Sequence, residues 1–112
     1  MRPDVIPPAF VTLGPELDLP VSGARGWLVA GGERQVVLLE FAETVEVPAH
    51  SHADQWELAL AGRVELRRDG CSEEYRAGDS FHVPAGQVHE ATVHAGYRAL
   101  IVFDEPERYP VK

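Results

Sequence analysis

Two histidines separated by one residue, His50-Ser51-His52, are followed 37 residues after the second by His89. On a β-strand, residues i and i+2 leave on the same face roughly 6–7 Å apart. Two such rings can reach one divalent ion at about 2.0–2.2 Å, the usual metal–imidazole distance. A third imidazole aimed at the same point would complete a metal site, and His89 is the residue to supply it. The other candidate histidines fit less well. His82 alternates with Phe81 and Val83 and reads as a surface or interface residue, and His94 falls on the face opposite His89 of its strand.

The elements that must position these residues are extended. Val45-Glu46-Val47-Pro48-Ala49 alternates in polarity, and Pro48 excludes helix. Before His89 the order is Gly78, five residues, Pro84, one residue, Gly86, two residues, His89. Gly78-Asp79 signals a turn, Ser80 to Val83 a short strand, and Pro84-Ala85-Gly86 a tight turn that reverses the chain. His89 then stands near the start of a strand from Val88 to Val93. Elsewhere, Gly26 to Ala30, Arg34 to Ala42 and Tyr97 to Phe103 read as strands, and Glu16 to Val21 alternates weakly. Residues 63–68 and 71–76 form a hairpin about Asp69-Gly70, a strong two-residue turn signal. The first dozen residues, with Pro3, Pro7 and Pro8, read as an extended arm, and residues 104–112 as a polar tail. A single helical turn near Asp104-Glu105-Pro106-Glu107 is the one helical signal.

The runs PAHSHADQWELALAG (residues 48–62) and GDSFHVPAGQVH, within residues 78–93, resemble the two motifs of the cupin family. The second matches G-x5-P-x-G-x2-H in full, and 15 residues separate Gly62 from Gly78, as in small microbial cupins. The resemblance covers residues about 34 to 103. It implies an all-β, single-domain jelly-roll barrel of six to eight strands over residues 13–112, with a divalent metal in its mouth. The closing segment and the Gln55-Trp56 variant of the first motif are similar to single-domain microbial cupins whose activity is mostly unassigned.

The chain departs from the family pattern at three points. Thr44 replaces the glycine that usually opens the first motif, and Val93 the asparagine that often closes the second. The family's ligand carboxylate, counted back seven residues from Gly62, falls on Gln55; counted forward from His52 with four residues between, it falls on Glu57. Strand parity puts Gln55, Glu57, Ala59 and Ala61 on one face and Trp56, Leu58 and Leu60 on the other. Gln55 is favoured as fourth ligand, being nearer to His52 and in the family's register to the glycine. The metal set is then His50, His52, Gln55 and His89. Glu57 becomes a carboxylate beyond the ion that could move a proton, or an acidic barrel residue paired with an arginine such as Arg98.

Three imidazoles and one neutral oxygen leave the ion's full charge for an anionic ligand. Such a set suits Mn, Fe, Ni, Zn, Co or Cu. The expected function is a metal-dependent enzyme acting on a small anionic or enolisable metabolite, of oxygenase, decarboxylase or isomerase type. The alternative is a non-catalytic cupin that binds or senses a small ligand or a metal. Tyr97 and Arg98 are candidates to bind an anionic substrate or to serve structure.

Composition agrees with a small barrel. The 112 residues contain nine prolines and ten glycines, as a chain of many turns requires. Formal net charge is −8, which argues against nucleic acid as a partner. No apolar run is long enough to cross a membrane, and no leader layout opens the chain, so a cytoplasmic protein is expected. Burial is limited at this length, and a homodimer is expected to help, with Trp56, Leu58 and Leu60 facing a partner or the second sheet. The lone Cys71 excludes an internal disulfide and reads as an inert turn residue.

Overall fold

A computed structural model describes residues 7–112. Nine strands follow a short helical turn, α1 (Ala9–Thr12): β1 (Ala24–Ala30), β2 (Gln35–Phe41), β3 (Val45–His50), β4 (Gln55–Ala61), β5 (Arg63–Arg68), β6 (Cys71–Arg76), β7 (Ser80–Val83), β8 (His89–Val93) and β9 (Arg98–Phe103). They make two antiparallel sheets in a jelly-roll arrangement, one ordered β1-β2-β9-β4-β7 and the other β3-β8-β5-β6.

The strands form where polarity alternates. In β4, β8 and β9 every second residue is buried, so each strand turns one apolar row inward. Val37, Leu39, Ala99, Ile101 and Phe103 of the first sheet meet Val64, Leu66, Ala91 and Val93 of the second in a single core. Strand β2 is buried on both faces: Val37 and Leu39 face the core, and Leu38 on the other face is paired across from the buried Trp27. The β5–β6 hairpin turns on Asp69 (φ 51°) and Gly70 (φ 72°), the two left-handed positions of a type I′ turn.

Several expectations change. The resemblance implies six to eight strands, and nine are present among the described residues. Within the N-terminal arm, Ala9–Thr12 makes a helical turn after Pro8, the extended N-cap residue; residues 1–6 lie outside the described residues. No helix forms at Asp104–Glu107, where the chain only bends.

The segment that reads as a polar tail is woven into the barrel. Gln35, 2% exposed, donates to Tyr109 O (2.7 Å) and accepts from Tyr109 N (3.0 Å). Farther on, Leu17 bridges to Val111, and Lys112 pairs with Glu16 at 2.8 Å. These contacts hold Arg108 and Tyr109 over one end of the barrel.

Candidate metal centre

The two motifs meet at that end. His50 is the last residue of β3 and lies directly across from His89, the first of β8, past a register shift between Val47 and His50. His52 lies beyond the end of β3, so the pair does not sit on one strand. What brings His52 back is the second motif: Gly86 N donates to His52 O at 3.0 Å. Gly86 has φ 80°, which an L side chain would resist. Asp54 ties the same turn down, accepting from Ala85 N (2.6 Å) and contacting His82 Nε2 (3.0 Å). His82 is therefore a surface clamp rather than a ligand, and its own side chain is exposed.

One ring nitrogen from each of His50, His52 and His89 lies within 4.8 Å of the other two. Two ligands on one ion stand at most about 4.2 Å apart at ordinary bond lengths, so slight ring rotation is enough to close on a cation. The hydrogen bonds choose the nitrogen. His50 Nδ1 meets Pro48 O at 2.9 Å, His52 Nδ1 meets Ala53 O at 2.7 Å, and His89 Nδ1 meets Gln87 O at 2.9 Å. A carbonyl oxygen only accepts, so each Nδ1 carries the proton and each Nε2 keeps its lone pair. This is the tautomer that a ligating histidine requires, with its orienting acceptor already in place. Burial pushes His52 and His89 below the ordinary imidazole range, with the charge of Arg108 acting on His52 and that of Arg68 on His89 in the same sense. Neutral rings are the ones that bind metal. These residues thus fit a divalent ion.

The opposite wall of the cavity carries Gln55 and Glu57, the other two candidates. Gln55 and Glu57 project from the inner face of β4, 8% and 6% exposed, as strand parity predicts. Gln55 Nε2 donates to Glu57 Oε1 at 2.7 Å, which leaves the amide oxygen for other use. Tyr97 OH donates to Glu57 Oε2 at 2.5 Å. Burial raises Glu57 to about 7, against the opposing pull of Tyr97 and Gln55. Burial and the Glu57 charge push the Tyr97 phenol far up, so it stays a donor. Among the described residues the cluster consists of the three histidines, and Glu57 stands apart from it. Nor does it pair with Arg98, whose guanidinium faces Glu40 at 3.5 Å. The histidines, Gln55, Glu57 and Tyr97 line one cavity of about 80 Å³.

Thr44, where the first motif usually opens with glycine, has a local partner. Thr44 Oγ1 accepts from Ala95 N at 3.1 Å. Gly62 is required as glycine: its φ is 72°, and a Cβ there would stand 2.8 Å from Tyr97 N and Cα. His94 contacts Glu65 at 2.6 Å, away from the site, and Cys71 is exposed.

The family model of the cupin domain matches residues 35–103. The chain belongs to the cupin family. No curated protein matches this cupin in sequence. Solved structures similar to it include KdgF from Halomonas sp., at 22% identity and TM-score 0.71, covering 82% of this chain and 88% of that one. An RmlC-like cupin from Shewanella frigidimarina is 26% identical with TM-score 0.71, covering 84% and 86%. The DMSP lyase DddQ from Ruegeria pomeroyi is 18% identical with TM-score 0.66, covering 84% of this chain and 57% of its own.

Reading the sequence missed Arg108, Tyr109 and the role of Tyr97. Tyr97 and Tyr109 line the histidine cavity, and Arg108 lines the groove beside it. The signal for the tail was slight, since aromatic Tyr109 interrupts an otherwise polar run.

Proposed function

We propose that this cupin is a metal-dependent enzyme that moves a proton on a small anionic or enolisable substrate. The observation that carries the reading is the set of three imidazoles with Nδ1 protons fixed on backbone carbonyls, opening onto a cavity that also holds a buried carboxylate. His50, His52 and His89 would hold the ion through Nε2, and Gln55 through its amide oxygen. A bound divalent transition metal supplies Lewis-acid polarisation of a substrate oxygen.

The rest is the work of the chain's own side chains. Gln55 Nε2 and Tyr97 OH grip one oxygen each of Glu57, fixing the carboxylate plane. Glu57 then takes a proton from the substrate and returns it, and Tyr97 steadies the negative form. Apolar neighbours such as Phe103 and Ile101 exclude bulk water from the exchange. The similarity to a protein named as a lyase adds support for catalysis. We propose in addition that the cupin works as a cytoplasmic homodimer through the outer face of the five-stranded sheet. There Trp56, 42% exposed, lies in cross-strand line with Val102 and Val36.

The test is proton exchange. Metal-loaded protein incubated with a panel of small 2-oxo acids in deuterated water should exchange the C3 protons of at least one of them, read by proton NMR, and Glu57→Gln should abolish the exchange while keeping the metal. Exchange unchanged in Glu57→Gln would remove Glu57 from the chemistry. A metal-loaded protein inert to the whole panel would favour the binding-module reading.

A further inference from the structure

This chain is strongly acidic, and almost every cation among the described residues is matched by a carboxylate. Arg25 pairs with Glu16, Arg34 with Asp104, and Arg63 and Arg76 with Glu74. Arg67 pairs with Glu46 and Glu90, Arg68 with Glu73, Arg98 with Glu40, and Lys112 with Glu16. Arg108 is the exception: no described carboxylate lies within ion-pair distance of it. Its guanidinium rests instead on rings, with Cζ 4.7 Å from the Tyr109 centroid and 5.8 Å from that of Phe103. Its Nε is buried and has no hydrogen-bond partner. An aromatic shelf satisfies part of the charge but gives the N–H groups no acceptor. A buried donor in that state is a place where an acceptor is missing.

The space in front of it is a groove of about 300 Å³. Arg108 and Tyr109 stand at its polar side, Leu19, Pro20, Val21 and Val47 supply apolar walls, and His50 joins it to the histidine cavity. Phe103 links the two places, since its ring meets His52 edge-on at 5.6 Å. A ligand lying here would find one cation, a metal-binding corner and hydrocarbon.

We propose that the groove binds a small carboxylate with an apolar body, its carboxylate on Arg108 and its hydrocarbon against Leu19, Val21 and Val47. The assignment deepens the enzymatic reading of the histidine cavity by naming its substrate class: aliphatic or aryl acids, not polyhydroxylated ones. Sugar-acid hydroxyls would be stripped of water against leucine, valine and proline with nothing to bond. A carboxylate supplies the anionic partner that the Arg108 guanidinium lacks at the groove, in the forked geometry that guanidinium prefers.

The experiment is an NMR titration of isotope-labelled protein, both as purified and after chelation, with butanoate, hexanoate, octanoate, hexanamide and glucuronate. Affinity should rise about three- to fourfold for each added methylene. Hexanamide and glucuronate should bind at least about tenfold more weakly than hexanoate. Arg108→Met should lower hexanoate to the level of hexanamide, and Arg108→Lys should restore part of the loss. A flat chain-length series, hexanamide equal to hexanoate, or hexanoate binding untouched in Arg108→Met would each overturn the proposal. The first two comparisons need only the wild-type protein and hold whether or not the variant folds. Chelated protein separates the readings: the same dependence in a protein that never carries metal would sink the metal enzyme and leave the groove. A flat series in a metal-bearing protein would do the reverse.

Discussion

The two walls of the cavity are built in different ways. At the end of the four-stranded sheet and in the loop after β3, each imidazole is oriented by a carbonyl one or two residues away, at Pro48, Ala53 and Gln87. On the five-stranded sheet, Glu57 is oriented by Tyr97, 40 residues away, and only Gln55 is local. Each imidazole therefore carries its own ring orientation, with only the His52 backbone needing the distant Gly86 amide, whereas the carboxylate wall exists only once β4 and the turn before β9 have docked. Ligand orientation should survive small repacking; the state of Glu57 should not.

The largest effect expected is on the imidazole wall. His52→Ala and His89→Ala should each weaken metal binding more than about a hundredfold, because even partners of ligands are worth about 10–100-fold. Competition with a chromophoric chelator measures this, and a change under tenfold would dissolve the distinction between the walls.

Gly62→Ala should damage the other wall alone. Its Cβ would press on the Tyr97 backbone at 2.8 Å, in a left-handed conformation besides, so a loss of about 1–3 kcal/mol in urea unfolding is expected. Metal affinity at the histidines should change little. Equal damage to both would mean that the walls fold as one unit.

A milder cut is Tyr97→Phe, which keeps the ring and removes the donor to Glu57 Oε2. Losing one donor to a buried carboxylate should cost about 1–3 kcal/mol by urea unfolding. A neutral result would show that water replaces the hydroxyl.

The smallest effect lies on the surface, where an acid is tuned by pairing instead of burial. Hydrogen bonds from Arg25 and Lys112 pull Glu16 from 4.5 down to about 2. Since the folded value is the lower one, the tie is complete above about 4.5 and is lost as pH falls toward about 2. A carboxyl-carbon NMR titration should show this, and Arg25→Gln should return Glu16 toward its ordinary value. Glu16 titrating normally in the intact protein would refute the tie.

This contrast also explains what the sequence disclosed. The histidine spacing and the Pro84–Gly86 turn are local patterns, and they led to the three rings that the structure brings together. Alternation in β4 put Gln55 and Glu57 on the inner face for the same reason. The partners of Glu57 were not legible, because Tyr97 reaches it only through the pairing of β4 with β9. Arg108 was hidden as well, since a run of polar residues with two prolines gives no sign that Gln35 will clasp it to the barrel. His52 leaves its strand because the Gly86 amide holds it, a contact 34 residues away.

In the proposed site the imidazole wall and the Gln55 oxygen hold a metal while Glu57 stays free for chemistry. Metal content per chain, measured in purified wild-type protein beside Gln55→Ala and Glu57→Ala, tests it most directly. One divalent metal per chain is expected in the wild type and in Glu57→Ala, and a marked loss in Gln55→Ala. Retention in Gln55→Ala with loss in Glu57→Ala would contradict it and make Glu57 the ligand.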